Sequence, residues 1–135
     1  MKRGEKLCSF VCLGTPRPKA RPRFVKGRVI STTSDHELLW KTTLQKEVRR
    51  LRPLKPYDGA LMIDASFYFE AKDADRLGQP HTHRPDKDNL EKLILDVLKK
   101  ERVIKDDALV AGGEVTKEWQ MRGGVVLSIF RAEAD

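Results

Sequence analysis

The segment RPDKDNLEKLILDVLKK, residues 84–100, places Asp86, Asp88 and Asp96 within eleven positions and sets Lys92 between the second and the third. Two carboxylates as close as Asp86 and Asp88 repel each other unless a cation lies between them, and a hard cation such as Mg²⁺ prefers oxygen ligands. A second acidic pair, Asp106-Asp107, follows, with Asp107 nineteen positions after Asp88. Lys92 falls one helical turn beyond Asp88 on the same face, within reach of a phosphate held by such a cation. Carboxylates that gather a divalent cation, with a protonated amine beside them, are the elements of phosphodiester hydrolysis. A plainer account competes. Asp88 and Glu91 have the spacing of a capping box, Asp86 complements the helix dipole, and Lys92 is a solvated surface lysine.

The helix that must carry these groups is well marked. Leu90, Leu93, Ile94, Val97 and Leu98 recur at helical spacing and form one buried face, while Asp88, Lys92 and Lys99 point roughly the opposite way. Leu95 lies with Asp88 and Lys92, away from the apolar stripe; it can cover a partner subunit, the favoured reading, or pack under a loop. A helix of about fifteen residues spans roughly 22 Å. For Asp107 to reach Asp86 and Asp88, the chain must run back past the helix to its N-terminal end.

Further upstream, Leu7 to Leu13 reads as a strand, and the prolines of GTPRPKARPR exclude a helix and imply an extended arm. GRVIST (27–32) reads as a short strand or hairpin arm. Ser34 and Glu37 form a capping box for a helix with Trp40, Leu44, Val48 and Leu51 on one face and Pro53 beyond its end. ALMIDASFYFE alternates as a half-buried strand, with Leu61, Ile63, Ala65, Phe67 and Phe69 pointing one way. AKDADRLGQPHTHR (71–84) has no period and reads as a mobile loop. EVTKEWQ and VVLSIF flank MRGG as a closing antiparallel hairpin. The order β, β, α, β, α, β, β predicts a single α+β domain over 1–135, two principal helices on a mainly antiparallel sheet.

Composition narrows the partners. Of 135 residues, 39% are apolar and 35% charged, which fits one polar globular domain that can cover an apolar face with a copy of itself. Residues 1–60 hold 15 Lys/Arg against 5 Asp/Glu, and residues 61–135 hold 12 against 15. Six basic residues and no acidic one lie in RPKARPRFVKGR, residues 17–28. A basic segment beside an acidic cluster suits a polyanion gripped near a bound cation; a solubilising basic loop is the other reading. Arg17, Lys19, Arg21, Arg23 and Arg84 are the candidates for phosphate contacts, which fix position without reading bases. No run is apolar enough for a membrane span or a signal peptide. Cys8 and Cys12 lack CxxC spacing and read as reduced thiols on one strand face, as expected of a cytoplasmic protein. His81 and His83 have no accompanying ligand set and read as loop or DNA contacts.

At the second helix, RPDKDNLEKLILDVL…VIKDDALV resembles the signature of RusA-type Holliday junction resolvases, small homodimeric Mg²⁺-dependent endodeoxyribonucleases often carried by prophages. The family pattern is D-x-D-N, a lysine three residues on, an aspartate four further, and an acidic pair after the helix. Asp86, Asp88, Asn89, Lys92, Asp96 and Asp106-Asp107 fill those places. The resemblance extends over GTPRPKARPR and the Lys117 region, and departs where LKKERVIKDD replaces the Asn-Gly or Gly that commonly ends the helix. It implies Asp86, Asp88 and Asp107 as ligands of Mg²⁺, with Mn²⁺ a substitute, and Lys92 as the catalytic lysine. Asn89, Asp96 and Asp106 would support them, with Asp96 pairing with Lys92, and Lys117 would join the DNA contacts. The expected activity is paired symmetric nicking of four-way junctions in recombination and repair. Two other readings stand beside it: a non-catalytic basic DNA-binding module, and a Mg²⁺-dependent nucleotide hydrolase, which would want a glycine-rich phosphate loop absent here.

Overall fold

The computed structural model describes residues 1–19, 23–30 and 34–135. Strand β1 (Lys2–Leu13) is followed by the short strands β2 (Arg23–Val25) and β3 (Arg28–Ile30), which pair antiparallel with each other. Helix α1 (Asp35–Arg50) starts where expected, because the Ser34 side chain accepts the Glu37 amide at 3.1 Å. Strand β4 (Leu61–Glu70), helix α2 (Lys87–Lys100) and strands β5 (Val110–Gly112), β6 (Val115–Gln120) and β7 (Gly124–Glu133) complete the chain.

The sheet runs β1-β7-β4-β5, with β6 also paired to β4. β7 lies antiparallel between β1 and β4. The other edge of β4 is shared by β5 and then β6, both parallel to it. The hairpin expected of β6 and β7 therefore does not form: β4 separates them. The α+β class holds, as two helices on a mixed, mostly antiparallel sheet.

Parallel strands cannot be joined by a tight turn and need a crossover, normally a helix. Here α2 is that crossover, between β4 and the β5–β6 edge. Its stripe of Leu90, Leu93, Ile94, Val97 and Leu98 is buried, each residue no more than 2% exposed. It meets the face of β4 that carries Ile63, Ala65, Phe67 and Phe69, continued by Val125, Leu127 and Ile129 of β7 and by Phe10 and Cys12 of β1. Trp40, Leu44 and Val48 of α1 close the same core. Leu95 is partly buried and packs against this core, so it is not the free apolar contact that the helical wheel suggests. Glu101, just past α2, ties the helices together by accepting from Arg49 at 2.8 Å and from Arg52 at 2.9 Å.

The chain passes from β5 to β6 through Gly113, whose φ of +130° lies in the region that favours glycine. A Cβ there would collide with the backbone carbonyl of Ile63 on β4. Replacing Gly113 with Ala is therefore expected to destabilise the fold by about 3 kcal/mol, read as a lower urea midpoint at unchanged slope.

Candidate active site

α2 begins one residue after Asp86, which occupies the N-cap position but makes no side-chain capping bond. Asp88 lies inside the first turn, so the capping-box account of Asp88 and Glu91 does not hold. Asp86, Asp88 and Lys92 are all exposed. Among the described residues none of the three side chains enters a hydrogen bond or ion pair. Two carboxylates at a helix N-terminus are favoured by the dipole; they repel each other, and among the described residues no cation pairs with either.

Beside them Arg17, Pro18, Arg84, Pro85, Asp86 and Asn89 line a cleft of about 310 Å³. Arg17 Nε is buried and has no hydrogen-bond partner among the described residues. The arm that brings Arg17 in is docked on α2: the Lys19 amide donates to the Asn89 carbonyl at 3.3 Å, and the Lys19 ammonium pairs with Asp96. Asp96 thus takes Lys19 as its partner, not Lys92, and Lys19 is tied to the protein at the position where a free phosphate contact was expected. Arg21 lies outside the described residues, and Arg23 is described only through the backbone of β2.

Asp106 and Asp107 do not come to this end of the helix. They sit with Lys99 near its C-terminus, where Lys99 Nζ lies 3.7 Å from Asp106 and 3.9 Å from Asp107. Asp106 accepts the Ala108 amide at 3.0 Å. That bond, the neighbouring Asp107 carboxyl and Lys99 hold its carboxyl below the usual carboxylate range. Strand register shows the distance involved. Val110 pairs with Leu61 at the start of β4, and Lys117 pairs with Phe67 six residues later, which is roughly 20 Å along the strand. Among the described residues, no three His, Cys, Asp or Glu side chains converge as a metal site. The return of Asp107 past the helix, expected from the sequence, is excluded within one chain by the parallel crossover. The donor chemistry of Asp86 and Asp88 still fits Mg²⁺, which is commonly held by one or two carboxylates together with substrate phosphates.

The segment before α2 is anchored along β6. Gly78 donates to the Trp119 carbonyl at 2.8 Å, Trp119 to Gln79 at 3.0 Å, and His81 to Lys117 at 3.0 Å. Pro80 bridges antiparallel to Glu118. The His81 ring stacks on Phe69 with centroids 3.9 Å apart and tilts against Trp119 at 4.5 Å. The Arg76 guanidinium lies 5.3 Å from the Trp119 ring centroid. Lys117, expected to contact DNA, donates to the carbonyls of His83 and Pro85, at 2.7 Å each. A polar segment without a period carries no signal for such pairing, so neither His81 nor the Lys117 contacts were legible in advance.

A basic cleft at a helix terminus that also carries two unengaged carboxylates defines a protein that handles phosphodiesters. Residues 14–130 match the family model described as Endodeoxyribonuclease RusA, and the chain belongs to the RusA endodeoxyribonuclease family. Nuclease activity on Holliday junctions is what that membership implies. No curated protein matches the chain.

Burial, then the Lys117 ammonium and then His83, hold the His81 imidazole below its ordinary value of 6.5. The unfolded chain takes up that proton at higher pH than the folded one, so stability is lost as pH falls below about 6.5. The lowered carboxyls of Asp58, Asp64, Glu101 and Asp106 act only in more acidic solution. Between about pH 7 and about pH 5 the melting temperature should drop by a few degrees, and His81→Phe should flatten that slope in thermal melts.

Proposed function

We propose that the chain is a divalent-metal-dependent endonuclease that resolves four-way DNA junctions by paired symmetric nicks in recombination and repair. In this reading residues 1–135 work as one cytoplasmic, prophage-borne nuclease domain. The observation that carries the proposal is a pair of carboxylates unengaged among the described residues, Asp86 lining the cleft of Arg17 and Arg84 and Asp88 in the first turn of the helix beside it, in a chain of this family.

Arg17 and Arg84 receive the phosphate backbone, as guanidinium groups match phosphate oxygens with paired donors. Asp86 and Asp88 hold the cation, Mg²⁺ or Mn²⁺. When bound, it supplies polarisation of the phosphoryl oxygen, a lowered water pKa and neutralisation of the leaving oxygen. Lys92, one turn along the same face, stabilises charge on the non-bridging oxygens. Asn89 and the Asp96–Lys19 pair keep the basic arm against the helix, which sets the spacing between Arg17 and the carboxylates.

The third carboxylate of the family pattern is the difficulty, because Asp107 lies at the wrong end of its own α2. A symmetric dimer resolves it if two copies meet so that the N-terminal end of one α2 faces the C-terminal end of the other. Asp107 of a second copy then joins Asp86 and Asp88 of the first, and the two sites so made are related by the two-fold axis that paired nicking requires.

Two experiments test this. In a junction-cleavage assay Asp88→Asn should abolish Mg²⁺- or Mn²⁺-dependent nicking while junction binding persists. Equal cutting of linear duplex would remove the junction assignment and leave a general nuclease, and metal-independent behaviour of all three aspartate variants would favour the non-catalytic DNA-binding module. Mixing Asp88→Asn with Asp107→Asn subunits should restore nicking to about a quarter of wild type, because the mixed dimer contains one intact composite site. No restoration, with mixed dimers verified by mass, would place Asp107 in the site of its own chain, and wild-type nicking by Asp107→Asn alone would place it outside catalysis.

A further inference from the structure

Lys117 lies within β6, its backbone registered on Phe67 of β4, and its side chain crosses to the segment that leads into α2. The carbonyls it holds, those of His83 and Pro85, bracket Arg84 and immediately precede Asp86. A lysine that serves a DNA backbone works best as a long, unrestrained charge. This one is half-buried, and two of its three ammonium donors are already committed to the protein. The same residue also accepts the His81 amide through its own carbonyl. Residues 81–85 are thus fixed to β6 by the Lys117 backbone on one side and by its ammonium on the other. Asp86 is the first residue beyond the last tether, and its carbonyl accepts the Leu90 amide at 3.2 Å as α2 begins. It is held between a clamp and a helix while its carboxylate remains uncommitted.

We propose that Lys117 is a positioning residue: its grip on the His83 and Pro85 carbonyls sets the direction in which the Asp86 carboxylate leaves the helix terminus. It thereby tunes the affinity of the site for its divalent cation and not the affinity for DNA. The inference rests on the reading of Asp86 and Asp88 as cation ligands. Groups one step behind metal ligands commonly change affinity tenfold or more when removed.

Mn²⁺ is the probe, measured as free ion by electron paramagnetic resonance on the full chain, alongside junction binding at several salt concentrations. Lys117→Met is expected to weaken Mn²⁺ binding by about tenfold, to raise the Mn²⁺ needed for half-maximal cleavage by the same factor, and to speed hydrogen exchange of amides 86–90. The salt dependence of junction binding should not change. Unchanged Mn²⁺ binding, with a salt slope lower by about one, would make Lys117 a phosphate contact and overturn the proposal. If the Met variant does not fold, Lys117→Arg decides in its place, since it keeps the charge and alters the reach to the two carbonyls. Weaker Mn²⁺ binding at an unchanged salt slope supports the clamp, and wild-type Mn²⁺ binding overturns it. Asp86→Asn and Asp88→Asn are measured in parallel. Should they bind Mn²⁺ as wild type does, the cation reading falls and takes the clamp with it; should they lose Mn²⁺ while both Lys117 variants keep it, only the clamp falls.

Discussion

The parallel pairing of β6 with β4 is the constraint on which the rest of the molecule depends. Six residue pairs, from Ala65–Val115 to Glu70–Gln120, align the two strands in the same direction. That direction obliges the intervening chain to travel the length of the sheet and return. α2 makes the return, and its apolar stripe packs against the covered face of the sheet, each buried aliphatic side chain contributing about 2 kcal/mol. The two ends of α2 therefore lie at opposite ends of the sheet. Asp86 and Asp88 stand at the end toward which β4 and β6 run, where open parallel arrangements present their crevices. Asp106 and Asp107 stand at the other.

The same strand, β6, orders what precedes α2. The segment from Gly78 to His81 adds itself to the free edge of β6 through backbone hydrogen bonds, and the Lys117 ammonium continues the attachment to Pro85. Backbone groups at a strand edge need partners; this segment supplies them, and its own path becomes fixed in exchange. His81 fills the space between Phe69 and Trp119 as a neutral ring. The first basic arm is fixed as well, because the Lys19–Asp96 pair and the Lys19–Asn89 backbone bond seat it against α2. The cleft of Arg17 and Arg84 is thus assembled from two segments, each of which is docked separately.

Stability and function pull apart at the helix terminus. Two other carboxylates are engaged: Asp64 accepts Arg3 through both carboxylate oxygens at 2.7 and 2.8 Å, and the buried Glu101 is matched by two arginines. Among the described residues, Asp86, Asp88 and Lys92 have no partner. Carboxylates this close that are neither capping nor paired contribute nothing to the fold beyond their interaction with the helix dipole. Local rules broken without compensation in the fold are expected at functional sites.

Much of this was legible from residue order. The stripe of α2, the Ser34 cap of α1 and the alternation of β4 depend on spacing within one element, which survives folding unchanged, and the constellation from Asp86 to Asp107 is a fixed spacing along the chain. The family follows from that constellation. What the sequence left open were relations between elements. Whether EVTKEWQ pairs with VVLSIF or with β4 depends on competition between edges of equal local propensity, and tertiary packing chose β4. From that choice follow the ordering of residues 78–85, the clamp made by Lys117, the capture of Asp96 by Lys19, and the separation of Asp107 from Asp88. The physical reason is that strand direction is a long-range property: the hydrogen bonds of β6 are satisfied equally well by a parallel or an antiparallel neighbour, and only the assembled sheet decides which one it receives.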